Sequence, residues 1–158
     1  MTRSPRTGEP HRFFVLEGND WVNVVALTKA GEIVLVRQYR AGTESVTLEI
    51  PGGGVEDGET PLAAAQRELR EETGYTASRW RELGMVHPNP AVQANRCTTF
   101  LAEDAVPTGE QDQDAGEDLS VELRPATSVG ELVRSGEITH GLVLVAFHLW
   151  GLSSGQVD

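Results

Sequence analysis

The first regular patterning in the chain is a pair of apolar segments that predict neighbouring β-strands. Residues 21–28 (WVNVVALT) and 33–39 (IVLVRQY) are rich in β-branched side chains, and Ala30-Gly31-Glu32 between them is typical of a hairpin turn. Further strands are predicted at residues 46–50, 80–86, 97–102 and 119–123, with a shorter one at 13–16. The chain therefore supplies enough strands for one sheet.

The strongest helix signal starts at Thr60-Pro61 and ends at about Thr73. Threonine can accept a hydrogen bond from the first turn, and proline suits the first helical position. Gly74 permits the left-handed residue that ends many helices. The side expected to face the core consists of Leu62, Ala65, Leu69 and Thr73.

Two more helices are predicted towards the carboxyl end. Ser128 and Glu131 have the spacing of a capping box for a short helix that ends near Gly136. A closing helix is predicted from the spacing of Ile138, Leu142, Val145 and Leu149. Its apolar run over residues 141–150 is too short to cross a bilayer, so we expect a buried helix.

Strands and helices alternate irregularly, which predicts an α/β or α+β domain around a mixed sheet. A chain of 158 residues has the usual size of one domain. We expect that domain to span residues 12–152, between flexible segments at 1–11 and 153–158.

Composition narrows the classes of function. Acidic residues outnumber basic ones by 24 to 13, and the formal net charge of −11 argues against binding nucleic acid or an anionic membrane. The only cysteine, Cys97, excludes an internal disulfide, and the first residues lack the apolar region of a secretory signal. We therefore expect a cytoplasmic protein.

Three carboxylates share one face of the first predicted helix. Glu68, Glu71 and Glu72 stand at positions i, i+3 and i+4, where like charges repel each other unless a cation lies against them. A hard divalent cation such as Mg²⁺ takes oxygen ligands and completes its shell with water and substrate phosphates. The alternative is an ordinary solvated face. The glycines at 52–54 favour the metal site, because they let backbone approach a ligand closely.

The spacing around these glutamates resembles the Nudix box of the Nudix hydrolases. The matching positions are Gly53, Glu59 and the run Arg67-Glu68-Leu69-Arg70-Glu71-Glu72-Thr73-Gly74, with Tyr75 replacing the usual aliphatic residue. The resemblance implies an α/β/α sandwich and hydrolysis of a nucleoside diphosphate linked to another group.

The resemblance also implies roles for the residues of the box. Glu68 and Glu72 would bind Mg²⁺, or Mn²⁺, and Glu71 would be a further ligand or would orient bound water. A backbone carbonyl at Gly52 or Gly53 would reach a metal. Glu59 and Arg67 would fix the loop to the helix.

Flanking residues resemble the branch that hydrolyses ADP-ribose and nucleoside diphosphate sugars to a nucleoside monophosphate and a sugar phosphate. The segments are Val36-Arg37-Gln38-Tyr39-Arg40, Leu48-Glu49-Ile50-Pro51-Gly52-Gly53 and Pro90. Arg40 and Glu49 would line the substrate pocket, joined by Arg37, although both arginines could be ordinary surface residues.

Residues 91–96 (AVQANR) depart from the glycine-aromatic-acid segment of the ADP-ribose enzymes, which widens the choice to other nucleoside diphosphate sugars. In this segment, Asn95 and Arg96 would contact the substrate or anchor a loop. Trp21 would stack on a base or pack in a core or interface.

The general base implied by the resemblance is a late loop glutamate. Glu117 fits that context within the acidic segment 103–118, which is expected to be a mobile loop, and its rivals are Asp114, Glu110 and Glu71.

The resemblance further suggests a homodimer. Two alternatives remain open, namely hydrolysis of nucleoside triphosphates or dinucleotides, and a non-catalytic sensor of nucleoside diphosphate sugars.

Overall fold

The apolar strand segments pair into a mixed sheet of eight strands in the computed structural model, which describes residues 2–109, 111 and 119–155. In chain order the strands are β1 (Thr2–Arg3), β2 (Pro10–His11), β3 (Trp21–Thr28), β4 (Glu32–Arg40), β5 (Ser45–Glu49), β6 (Gly52–Gly54), β7 (Tyr75–Thr76), β8 (Arg79–Val86), β9 (Cys97–Pro107) and β10 (Leu119–Pro125). The helices are α1 (Pro61–Thr73), α2 (Val129–Arg134) and α3 (Gly141–Ser153). Strands β1 and β2 form a separate ribbon.

The order of strands in the sheet is β10-β4-β3-β9-β7, while β5 pairs with β4, β6 with β3 and β8 with β9. Only the pairing of β3 with β9 is parallel within this described sheet. Trp21 opposes both Cys97 of β9 and Gly54 of β6. The first residues of β3 and β9 and the glycines of β6 therefore meet at one edge of the sheet.

Helices cover both faces of this sheet. Val24 and Ala26 of β3 pack with α1, whereas Val25 between them packs with α2 and α3. Because neighbouring side chains of a strand point to opposite faces, a strand buried on both faces must be apolar along its length. The result is the expected α/β/α sandwich with a mixed sheet.

Helix α1 begins and ends at the predicted residues. The Thr60 hydroxyl accepts a hydrogen bond of 3.2 Å from the Ala63 N–H. Gly74 ends the helix in the left-handed region at φ = 71°. The predicted inner side was wrong at Leu62, which is 39% exposed, and Ala64 is buried instead. The carboxylates of Glu68 and Glu72 are buried on the same side of the helix.

Residues 13–16 do not form the predicted strand. Leu16 makes one isolated bridge with Gln93, and the side chains of Phe13 and Phe14 are 64% and 74% exposed. Four consecutive apolar residues lack the alternation that lets a strand bury one face and solvate the other.

The predicted acidic loop is shorter than expected. Strand β9 continues to Pro107, because its last two residues pair with β7. Arg79 of β8 contacts the carboxylates of Glu103 and Asp104 within the longer strand. Residues 110 and 112–118 lie outside the described part of the chain.

The carboxyl-terminal helices exist where they were predicted, but two details were wrong. Ser128 does not cap α2, because residues 126–128 form a 3₁₀ turn in which its hydroxyl donates to the Pro125 carbonyl. In α3, Val143 and Ala146 are buried rather than Leu142, Val145 and Leu149 of the predicted stripe, since the helix is apolar nearly all round. Ile138, the first residue of that stripe, is buried but precedes the helix. None of the helices in the described residues has the length and apolar character needed to cross a membrane.

The packing of α1 gives a test with an internal control. We expect Leu69→Ala to lower the free energy of unfolding by about 2–5 kcal/mol, because Leu69 is fully buried and its truncation leaves a cavity. Leu62→Ala on the same helix should cost less than about 1 kcal/mol, since that side chain is already partly in water. Urea unfolding followed by circular dichroism measures both, and equal losses would contradict this description of the core.

Candidate active site

Two of the three glycines of β6, Gly52 and Gly53, lie where a side chain would collide with its neighbours. A Cβ atom at Gly53 would stand 2.3 Å from Oε1 of Glu68, and one at Gly52 would stand 2.3 Å from the Val22 carbonyl oxygen. Both distances are far below van der Waals contact. The sequence therefore uses glycine here to bring the backbone of β6 against β3 and α1.

Two carboxylates of α1 are buried beside this glycine strand. Glu72 is 3% exposed, and its Oε2 accepts a hydrogen bond of 2.9 Å from the Gly52 N–H. Glu68 is 9% exposed and lies against Gly53. Buried carboxylates are usually hydrogen-bonded, ion-paired or bound to a metal, so this position makes both side chains candidates for metal ligands.

The guanidinium of Arg67 joins the helix to the loop that precedes it. It contacts both carboxylate oxygens of Glu59 at 3.1 and 3.0 Å and donates to the Gly54 carbonyl at 2.8 Å. It also donates to Glu68 at 2.9 Å and to Glu71 at 3.1 Å. The hydrogen bonds to Glu59 raise the pKa of Arg67, and in return Arg67 holds the pKa of Glu59 below its ordinary value. This is the structural role expected for the pair.

Glu71 is held between two arginines. Its Oε2 contacts Arg67, and its Oε1 accepts from Arg70 at 2.9 Å. Guanidinium groups therefore offset part of the repulsion among the three glutamates. Because Glu68 and Glu72 are buried, this side of the helix is not an ordinary solvated face.

The donor set fits Mg²⁺, although no group of three or more His, Cys, Asp or Glu side chains in the described residues is arranged to enclose a metal ion. Protein sites for Mg²⁺ commonly use one or two carboxylates, with water and substrate phosphates as the other ligands. Glu68 and Glu72 supply two buried carboxylates beside the backbone of Gly52. The ligand set of Gly52, Glu68, Glu71 and Glu72 stays a prediction.

A cavity of about 350 Å³ opens where β3, β6 and β9 meet. Backbone of Gly52–Gly54 forms part of its wall, and the start of α3 closes it from the other side. The polar and aromatic side chains of its lining are Trp21, Asn23, Arg40, Glu49 and His140. Its volume is within the range of small-molecule sites.

Arg40 and Glu49 meet in this cavity, as predicted for two pocket residues. The guanidinium donates to both carboxylate oxygens, at 2.9 and 2.8 Å, and the Thr47 hydroxyl donates to the same carboxylate at 2.6 Å. Burial alone would raise the pKa of Glu49, but the hydrogen bonds from Arg40 and Thr47 lower it below the ordinary value. Glu49 therefore presents a fixed negative charge to the cavity.

Arg37 does not lie in this cavity. It forms ion pairs with Glu122 at 2.6 Å and Glu137 at 3.4 Å, because residues three apart in a strand point to opposite faces. Its predicted contact with substrate has no support from this geometry.

Asn95 and Arg96 anchor a loop and are not among the residues that line the cavity. The Asn95 amide donates to the Asn19 carbonyl at 3.2 Å, and the Arg96 N–H donates to Asp20 at 2.8 Å. The loop-anchoring alternative thus describes their contacts. Glu117, Asp114 and Glu110 lie outside the described residues.

Sequence reasoning missed two lining residues, Asn23 and His140. The signal for Asn23 was available, since it is one polar residue inside an otherwise apolar strand that is buried on both faces. His140 had no comparable signal, because only the packing of α3 brings it to the cavity. Cys97 also lines the cavity, but burial raises the pKa of its thiol to about 11, which does not suit a nucleophile at neutral pH.

The contacts of Arg67 give a second test. Arg67→Lys keeps the charge but cannot span Glu59, Glu68 and the Gly54 carbonyl, so we expect the free energy of unfolding to fall by about 2–3 kcal/mol. Arg70→Lys is the matched control on the same helix, where the exposed ion pair with Glu71 is worth less than about 1 kcal/mol. Urea unfolding at pH 7 distinguishes the two. If both variants lose the same amount, Arg67 does not hold the loop.

Comparison with known proteins gives a consistent assignment. A family model described as the NUDIX domain matches residues 20–141. An ADP-ribose pyrophosphatase of Bacillus subtilis is 37% identical over 119 residues, which are 74% of this chain and 64% of that protein. A GDP-mannose pyrophosphatase of Escherichia coli is 30% identical over 134 residues, covering 78% of this chain and 69% of that protein.

A solved structure has the same fold. It is described as an ADP compounds hydrolase and superposes with a TM-score of 0.77 at 26% identity, covering 87% of this chain and 75% of the other. The chain spans just under two thirds of the length of the Bacillus relative. With the matched family model and the glutamate helix packed on a glycine strand, this chain belongs to the NUDIX-domain family.

Proposed function

We propose that this chain is a Mg²⁺-dependent hydrolase that cleaves the pyrophosphate bond of ADP-ribose or another nucleoside diphosphate sugar. The observation that carries the proposal is the burial of Glu68 and Glu72 against the glycine strand that forms a wall of the cavity. The products are a nucleoside monophosphate and a sugar phosphate.

The residues of the site divide into two groups by their chemistry. Glu68 and Glu72 would hold the metal with the backbone at Gly52, and Glu71 would be a further ligand or orient water. When bound, Mg²⁺ or Mn²⁺ supplies charge neutralisation at the phosphates and makes a water molecule more acidic. Arg67 keeps Glu68 and Glu71 in place through its contacts with both carboxylates.

The general base is either Glu117 or Glu71. In support of Glu117, Gln111 at the entry to residues 112–118 donates a hydrogen bond to the backbone carbonyl of Glu72. The chain therefore enters that segment beside the end of α1. Both carboxylate oxygens of Glu71 already accept hydrogen bonds from arginines, so contact with an attacking water would have to replace or share one of these ion pairs.

The substrate class follows from the cavity and from the names of the relatives. Arg40 and Glu49 form a bidentate pair in the cavity, which offers fixed hydrogen-bonding groups to a polar substrate. The named relatives act on ADP-ribose and GDP-mannose, which are both nucleoside diphosphate sugars. An RNA substrate is disfavoured by the net charge of −11. The cytoplasmic location expected from the lone cysteine stays a prediction.

The proposal is tested with purified protein, Mg²⁺ and a panel of ADP-ribose, GDP-mannose, UDP-glucose, a nucleoside triphosphate and a diadenosine polyphosphate. We expect release of nucleoside monophosphate from at least one of the sugars. Glu72→Gln should lower kcat by a hundredfold or more, roughly 3 kcal/mol at the barrier, because it removes charge but keeps an acceptor for the Gly52 N–H.

Glu131→Gln is the control, since Glu131 is exposed on α2 and far from this chemistry. Turnover confined to the triphosphate or the dinucleotide would replace the proposed substrate. Binding of a nucleotide sugar without turnover would identify a sensor. A Glu72→Gln variant with nearly full activity in saturating Mg²⁺ would overturn the metal assignment.

We also propose that the chain forms a homodimer through the exposed apolar residues 13–16. The four side chains, Phe13, Phe14, Val15 and Leu16, are each at least half exposed. Clusters of this kind on a protein surface usually mark an interaction site. One backbone bridge, from Leu16 to Gln93, fixes the end of the segment to the domain.

The dimer has a direct test. We expect the double change Phe13→Ser and Phe14→Ser to shift the mass measured by light scattering from two chains to one, because apolar burial at the interface is lost. Val46→Ser and Tyr39→Ser together form the control, since these residues are similarly exposed on β4 and β5. A wild-type mass of one chain at micromolar concentration would contradict the proposal.

A further inference from the structure

Two side chains that line the cavity keep a polar atom buried without a hydrogen-bond partner among the described residues. They are Oδ1 of Asn23 and Nδ1 of His140. A buried polar atom without a partner is unfavourable and rare in folded proteins, so two of them on residues that line one cavity indicate that a ligand supplies the partners.

The geometry at Asn23 determines which kind of partner is needed. Asn23 is 7% exposed, and its amide nitrogen donates to the Leu142 carbonyl at 3.4 Å. That bond assigns Nδ2 to the carbonyl and leaves Oδ1 as an acceptor. The missing partner at Asn23 is therefore a donor.

His140 faces the same space from the start of α3. Its Nε2 lies 3.9 Å from Oε2 of Glu49, which is beyond a direct hydrogen bond. Its side chain does not cap the helix either. The imidazole therefore lies close to Glu49 at the start of α3, and its buried Nδ1 has no hydrogen-bond partner among the described residues.

The lining therefore presents oxygen acceptors from Asn23 and Glu49 together with an imidazole that can donate or accept. A phosphate group at neutral pH offers acceptors and few donors, so it does not match Oδ1 of Asn23. A hydroxyl group both donates and accepts. A sugar ring carries several hydroxyls on a small frame, and Trp21 adds an apolar surface to the same cavity.

We infer that Asn23 and His140 are specificity-determining residues that bind hydroxyl groups of a sugar ring in the substrate. This inference rests on the proposed function and deepens it. The hydroxyls could belong to the ribose of the nucleoside or to the second sugar, and the test separates these sources.

Asn95 shows why the position in the cavity matters. Its Oδ1 is also buried without a partner among the described residues, and its amide donates to a backbone carbonyl in the same way. It is not a lining residue of the cavity, however. Asn23 and His140 differ from Asn95 because both residues line one cavity together with Glu49.

The experiment compares kcat/KM for ADP-ribose with kcat/KM for two analogues. One analogue has a deoxyribose in the nucleoside, and the other replaces the second sugar with a simple alkyl ester. Wild-type protein should prefer ADP-ribose over one of them by at least about tenfold, which corresponds to one hydrogen bond with a buried partner. The disfavoured analogue identifies the sugar that is bound.

His140→Phe should reduce that preference by about tenfold, because the ring is kept and both nitrogens are lost. Asn23→Leu should do the same, and a general loss of activity cancels in the ratio. His140→Asn should recover part of the preference, since it restores a polar atom near Nδ1. His148→Phe is the control, because His148 is an exposed histidine of the same helix.

Unchanged preference in both His140→Phe and Asn23→Leu would overturn the inference, as would a wild-type protein that treats all three compounds alike. If wild-type protein hydrolyses none of the nucleotide sugars of the panel, the proposed function fails. Calorimetric titration with ADP-ribose and the two analogues then gives the same comparison as ratios of Kd. A preference in Kd that is smaller in the variants than in wild-type protein would then support the hydroxyl site independently of catalysis. Absence of binding to all three would overturn it.

Discussion

The contacts of one guanidinium group, that of Arg67, determine how the acidic helix and the preceding loop fit together. It satisfies both oxygens of Glu59, the Gly54 carbonyl and one oxygen each of Glu68 and Glu71. Lysine has a single nitrogen and could not make these contacts at once. The arrangement allows three carboxylates on one helical face without the full cost of their mutual repulsion.

The sheet register then decides where those carboxylates lie. Because β6 pairs with the first residues of β3, the glycine backbone is held between the sheet and α1. Side chains at Gly52 and Gly53 would collide with the Val22 carbonyl and with Glu68. The absence of two Cβ atoms thus permits a buried carboxylate and a backbone strand to occupy neighbouring positions, a requirement that local structural propensity does not reveal.

Local signals explain why much of the fold could be predicted from the sequence. The limits of α1 follow from the Thr60 cap and the Gly74 stop, and β3 follows from a run of residues buried on both faces. The capping box at Ser128 failed because a 3₁₀ turn offered its hydroxyl a different acceptor. Strand β9 exceeded its predicted end because its last residues pair with β7, and Arg79 on a neighbouring strand contacts its acidic residues.

The candidate site was predictable where its residues are close in sequence or lie in segments that resemble the family. The carboxylates of α1 are close in sequence, and the pairing of Arg40 with Glu49 joins adjacent strands. Arg37 was assigned to the pocket although alternation along β4 already placed it on the opposite face from Arg40. Asn23 and His140 come from distant parts of the chain, and only tertiary packing brings them to one cavity.

The two halves of the site have complementary chemistry, which argues for a substrate that is itself composite. On the α1 side, buried carboxylates and glycine backbone suit a cation that binds phosphates. On the α3 side, Asn23, His140 and Glu49 offer hydrogen-bonding groups to a neutral, hydroxyl-bearing ring. The glycine strand borders both, since it contacts Glu68 and lines the cavity. A molecule that joins a charged pyrophosphate to a sugar would engage both halves, whereas inorganic phosphate or a free sugar would engage only one.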